Sequence, residues 1–184
     1  MLLASVSCSE ASNPGAAKRS VAAATVSTSS RHQLSEAMTS AVSAAVANGE
    51  LCNGAASPSP ARAEVVTEAG AVVLLAVSCE IFAYNVSFQL ATYDGSLHPL
   101  VVPTFDTASG SVVDSTVVLS VGFESAAAGQ FSVFSKGRGA GGCGDAATYR
   151  FAGRLVVLIE ARSYECQENV INDPEDWPVV YRGP

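Results

Sequence analysis

The stretch Ser135–Asp145, SKGRGAGGCGD, decides between two folds. Gly137, Gly139 and Gly142 match G-x-G-x-x-G, the pattern that opens a dinucleotide-binding βαβ unit, where glycines let the backbone approach a pyrophosphate at a helix N-terminus. QFSVFS (130–135) would be the strand, and Glu160, closing LVVLIE, the acid that binds a ribose. A dinucleotide fold fails at residues 143–154. A crossover helix has to start at the last glycine, yet CGDAATYRFAGR (143–154) holds a glycine near each end, and its Tyr149 and Phe151 alternate in strand fashion. Too few residues come after Glu160 for further βαβ units, and no Gly-Lys-Ser/Thr is present for a Walker loop. The glycine segment therefore reads as a hairpin connection that needs positive φ or close backbone approach, beside a cysteine that ties one end down.

The same alternation extends in both directions from that loop. AEVVTE and AVVLLAVSC flank Ala69-Gly70, YNVSFQLATY and LHPLVVPTF flank Asp94-Gly95, and ATYRF and RLVVLIEARS flank Ala152-Gly153. VVDSTVVLSVGF and QFSVFS lie between. Strands joined by such short turns run antiparallel, because a parallel pair needs a crossover of about a dozen residues or more. Upstream, Ser30 and Gln33 form an S-x-x-Q capping box; Leu34, Met38, Ala41 or Val42, and Ala45 then recur at helical spacing until Asn48 and Gly49. The expected class is α+β: one N-terminal helix packed on an antiparallel β-meander, a single domain over residues 31–184. Residues 1–30, small, polar and Ala/Ser-rich, are expected to be disordered. Cys8 within them is either a lipidated lipoprotein cysteine or a residue of a floppy tail.

Charge narrows the partners. The net charge is −7; four basic and four acidic residues stand up to Glu64, so all the excess negative charge lies beyond it. Such a surface repels nucleic acid, and the largest basic patch is Lys136 with Arg138. No run approaches the eighteen or so apolar residues of a membrane helix. The two histidines, His32 and His98, stand far from the five cysteines (Cys8, Cys52, Cys79, Cys143, Cys166), so zinc-finger spacing is absent and disulfides in an oxidising compartment are the better reading.

Catalytic signals are few. There is no G-x-S-x-G, and a Ser-His-Asp arrangement would have to use His32 or His98. Asp173, Glu175 and Asp176, with Glu165 and Glu168, lack EF-hand spacing and read as a solvated face. Asn85 opens an N-x-S sequon. Trp177 and Tyr181 read as a clamp closing the C-terminal strand over the core. Lys136 and Arg138, on an otherwise acidic chain, either keep a hairpin tip soluble or reach into a partner's acidic cleft.

Four segments in order, CEIFAYN (79–85), KGRGAGGCG (136–144), the FAG turn (151–153) before a strand leading to YEC (164–166), and WPVVYR (177–182), resemble the C-terminal half of bacterial envelope proteins of the DUF1176 family. The resemblance runs from about His32 to the end, without the N-terminal half and its own cysteines that family members usually carry. This chain departs where the family has Gly (Phe82) and Asp (Gly142), so a role of that acid would be lost. The resemblance implies export to the periplasm, disulfide bonding and no assigned activity; it supplies no catalytic residues to carry over, and no cofactor or metal is expected. Of the three pairings open to four cysteines, Cys52 with Cys79 and Cys143 with Cys166 join sequence-adjacent elements. Each closes a loop worth roughly 3 kcal/mol in the chain-entropy model. The expected function is a non-enzymatic envelope module, periplasmic or attached to the outer membrane, that binds a protein or cell-wall component. The alternative is an inhibitor of an envelope hydrolase acting through Lys136 and Arg138.

Overall fold

Glycine turns set the local topology. Gly70, Gly95 and Gly153 adopt φ of 64°, 107° and 68°, the left-handed region that lets two strands reverse within a few residues. They join β1 (Ala63–Ala69) to β2 (Val72–Ile81), β3 (Val86–Tyr93) to β4 (Leu97–Pro99), and β10 (Gly144–Ala152) to β11 (Leu155–Tyr164). The computed structural model describes residues 34–52, 62–127, 129–139, 142–167 and 173–183. The tail 1–30 with Cys8, the Ser30–Gln33 box, His32 and Glu168 lie outside them.

One sheet has the order β1-β2-β3-β4, with β7 (Val118–Ser120) also paired to β3. The other is an uninterrupted meander of β8 (Phe123–Ala127), β9 (Gln130–Lys136), β10, β11 and β12 (Val179–Arg182). A two-stranded ribbon, β5 (Val102–Asp106) with β6 (Ser111–Ser115), completes the described strands. All pairings are antiparallel.

The inner faces of the two sheets share one core: Leu74, Ala76, Phe88 and Leu90 from the first meet Phe131, Tyr149, Phe151 and Leu158 from the second. Phe131 and Tyr149 stack with ring centroids 5.1 Å apart, and burial pushes the Tyr149 phenol well above its ordinary pKa, keeping it neutral. On the opposite face of the first sheet, Leu75, Val77 and Ala91 pack against Val42, Ala45 and Leu51. The central strands β2 and β3 are thus covered on both sides, which is why LLAVSC is a continuous apolar run with no alternation.

The expected α+β class is overturned. The molecule is predominantly β, with a single α-helix among the described residues, α1 (Glu36–Ala47), laid on the outside of a two-sheet sandwich. Period-two patterns report strands but not which sheet each enters. LHPLVVPTF splits into β4 and β5, and VVDSTVVLSVGF into β6 and β7, each pair in separate sheets. The helix is N-capped by Ser35, whose hydroxyl accepts from the Met38 amide at 3.2 Å. It stops at Asn48, with Gly49 at φ 75°.

Candidate functional site

One end of the sandwich is built from the segments that stood out in the sequence. The turn 82–85 between β2 and β3 meets residues 137–139 and 142–143, which follow β9 and precede β10. Asn85 makes the junction: its side-chain oxygen accepts from the Lys136 amide at 2.7 Å, and its nitrogen donates to the Lys136 carbonyl at 2.9 Å. This pair mimics one rung of a β-ladder across two sheets and fills both main-chain valences of Lys136. The sequon asparagine is therefore engaged in the fold through both polar atoms of its amide.

Two glycines of the opening motif, Gly137 and Gly139, are demanded by contact. A Cβ on Gly139 would stand 2.7 Å from the Tyr84 ring, and one on Gly137 2.7 Å from the Cys166 sulfur. Gly144, at φ 137°, lies so close to the Ser135 carbonyl that any side chain would overlap it. Cys143, fully buried, is bonded to Cys166, which is exposed. The loop is thus held by a covalent link, a two-bond amide junction and an aromatic ring, and its glycines serve close packing.

Upon this braced end stand Ile81, Phe82 and Tyr84, 65%, 50% and 51% exposed. Lys136 and Arg138 beside them are half-buried rather than splayed into solvent. The second disulfide, Cys52–Cys79, sits in the core under α1, where the Cys52 amide donates to Gln89 Oε1 at 2.5 Å.

The other sequence candidates fall elsewhere. His98 lies at the far end, Nε2 3.5 Å from Asp94 Oδ1. Asp173 precedes a 3-10 turn, Pro174–Asp176, and no group of three His, Cys, Asp or Glu among the described residues could hold a metal ion. Trp177 and Tyr181 do not form one clamp. Trp177, buried, packs on Phe134 and Tyr164 at the outer face of the second sheet, whereas Tyr181 stacks on Phe105 of the ribbon. The composite end was invisible in sequence because it depends on Asn85 and Lys136 meeting across two sheets.

Fold and site together define a small disulfide-linked β-sandwich with one rigid, partly apolar end. The chain belongs to the family described as protein of unknown function (DUF1176), whose model matches residues 7–184. The match starts well before His32, so the likeness is not confined to the C-terminal half. No curated protein and no solved structure matches. No described helix is long and apolar enough to cross a membrane. The two disulfides point to folding in an oxidising compartment.

Proposed function

We propose that this is an exported, non-enzymatic module of the bacterial envelope, periplasmic or held at the outer membrane through Cys8, that binds a protein partner through its braced end. The single observation behind this reading is the exposure of Ile81, Phe82 and Tyr84 on a backbone pinned by Asn85 and Cys143–Cys166. Large apolar side chains held out in water by a rigid support are costly unless covered. A pre-organised surface loses little conformational entropy on binding, and aromatic residues with a nearby arginine are the types that dominate interface energies.

A double variant, Phe82→Ser with Tyr84→Ser, tests it, with Phe82→Ser alone as the companion that keeps the Tyr84–Gly139 contact. Cross-linking capture from envelope extract with the wild-type chain is expected to retain a partner that the variant loses by about tenfold or more. Equal capture by both sinks the reading. The inhibitor alternative is favoured by one feature, two cations on a disulfide-braced loop. Under it the purified chain slows an envelope hydrolase, and Lys136→Ala with Arg138→Ala removes the effect.

A further inference from the structure

A second site lies on a different surface, the outer face of the second sheet. Strands β8 to β11 carry small side chains at its centre, Ser132, Ala146 and Thr148, with bulkier groups on either side. The result is an open trough of about 660 Å³ that crosses the strands from Val121 to Glu175. Four strands at about 4.8 Å spacing make it about 15 Å long, the span of four to five residues of extended chain.

Its charges are divided. Arg162 is engaged on two of its nitrogens: Nε lies 2.6 Å from Glu160 Oε1, and Nη1 donates to the carbonyls of Glu175 at 2.5 Å and Trp177 at 3.0 Å. Glu160 is engaged by Arg162 and, at 3.4 Å, by Arg182. Glu124 at one end and Asp173 and Glu175 at the other line the trough with no ion pair among the described residues. The Ser132 and Thr148 hydroxyls, 3.2 Å apart, give the floor one bonded pair with acceptor capacity left over. Phe123 and Phe134 turn their rings against Phe88 and Trp177, so they are committed to packing rather than to stacking on a sugar.

We infer that this trough binds a short extended peptide bearing basic side chains. Its neutral, hydroxyl-lined floor takes the backbone, and its carboxylates, one at the first end and two at the other, take the cations. The site is independent of the braced end.

The test uses the intact chain, amide NMR and a five-residue peptide with lysine at alternate positions, against its glutamate counterpart and a neutral chitotriose. Expected are shifts at Ser132, Ala146 and Thr148 with the lysine peptide alone, weakening several-fold as salt rises from about 20 mM to about 200 mM. Glu124→Gln with Glu175→Gln, both exposed, is expected to weaken binding about tenfold with melting unchanged. Thr148→Trp is expected to abolish binding by filling the floor; if it fails to fold, the rim variant decides. No shifts, shifts at residues 81–84 instead, equal binding of the glutamate peptide, or chitotriose at the same amides would each overturn the inference.

Discussion

The two ends of the sandwich join the same pair of sheets by opposite means. At one, the neutral, directional Asn85–Lys136 bonds cross between the sheets, on a loop that the Cys143–Cys166 bond holds covalently. At the other, the connection is charged: the Arg154 guanidinium donates to Asp94, with His98 on the second carboxylate oxygen. The first kind holds in any salt, whereas exposed charge pairs lose most of their energy to water and to the side-chain entropy of holding them. The end that displays Ile81, Phe82 and Tyr84 is the one braced without charge. A surface that must keep one shape needs links that solvent cannot replace.

Four perturbations break or sharpen that contrast, beginning with the largest. Replacing Cys143 and Cys166 by Ser reopens a link of sequence separation 23 and is expected to cost about 3 kcal/mol in chemical denaturation. Since Cys166 is exposed and Cys52–Cys79 is buried, mild reductant should open the braced end first, as thiol labelling followed by peptide mapping would reveal. Asn85→Ala leaves the Lys136 amide and carbonyl without partners and is expected to cost about 2 kcal/mol, read from the denaturation midpoint. A loss as small as that of an ordinary surface substitution would show that water replaces the junction, and the contrast between the ends would go.

The third perturbation is near the charged end. Thr92 is fully buried, and its hydroxyl has no hydrogen-bond partner among the described residues. Thr92→Val keeps the β-branched shape and removes the unsatisfied group, so stability should rise by about 1 kcal/mol. The smallest effect belongs to Asp94. The Arg154 hydrogen bond, with its charge, holds the carboxyl below its ordinary pKa. A depressed folded pKa means that the pair's contribution is present above the usual carboxylate range and is lost as pH falls from there through the lowered folded value. Asp94→Asn should flatten that part of the acid limb of a stability–pH profile, with a small loss at neutral pH that vanishes at low pH. The difference should shrink in high salt.

Legibility in the sequence followed the range of each interaction. The hairpins at Gly70, Gly95 and Gly153 could be read because a positive φ and its two flanking strands lie within a dozen residues. The G-x-G-x-x-G match resolved to a loop because local alternation around Tyr149 and Phe151 contradicted a helix. The cysteines pair with near neighbours in the chain. The helix was legible as an element, although its N-cap is Ser35. By contrast, the weight given to Lys136 and Arg138 rested on the side chains, while the contact that organises the site is the Lys136 backbone with Asn85, 51 residues away in sequence.

The amino-acid sequence by itself determined strand existence, hairpin direction, the helix and the positions that must be glycine, because turn geometry and side-chain period act between near neighbours. Only the tertiary structure decided that the strands divide into two facing sheets, that β2 and β3 are buried from both sides, and that residues 82–85 and 137–139 share one end. Those outcomes depend on which apolar faces cover one another, a choice settled by the packing of the whole chain.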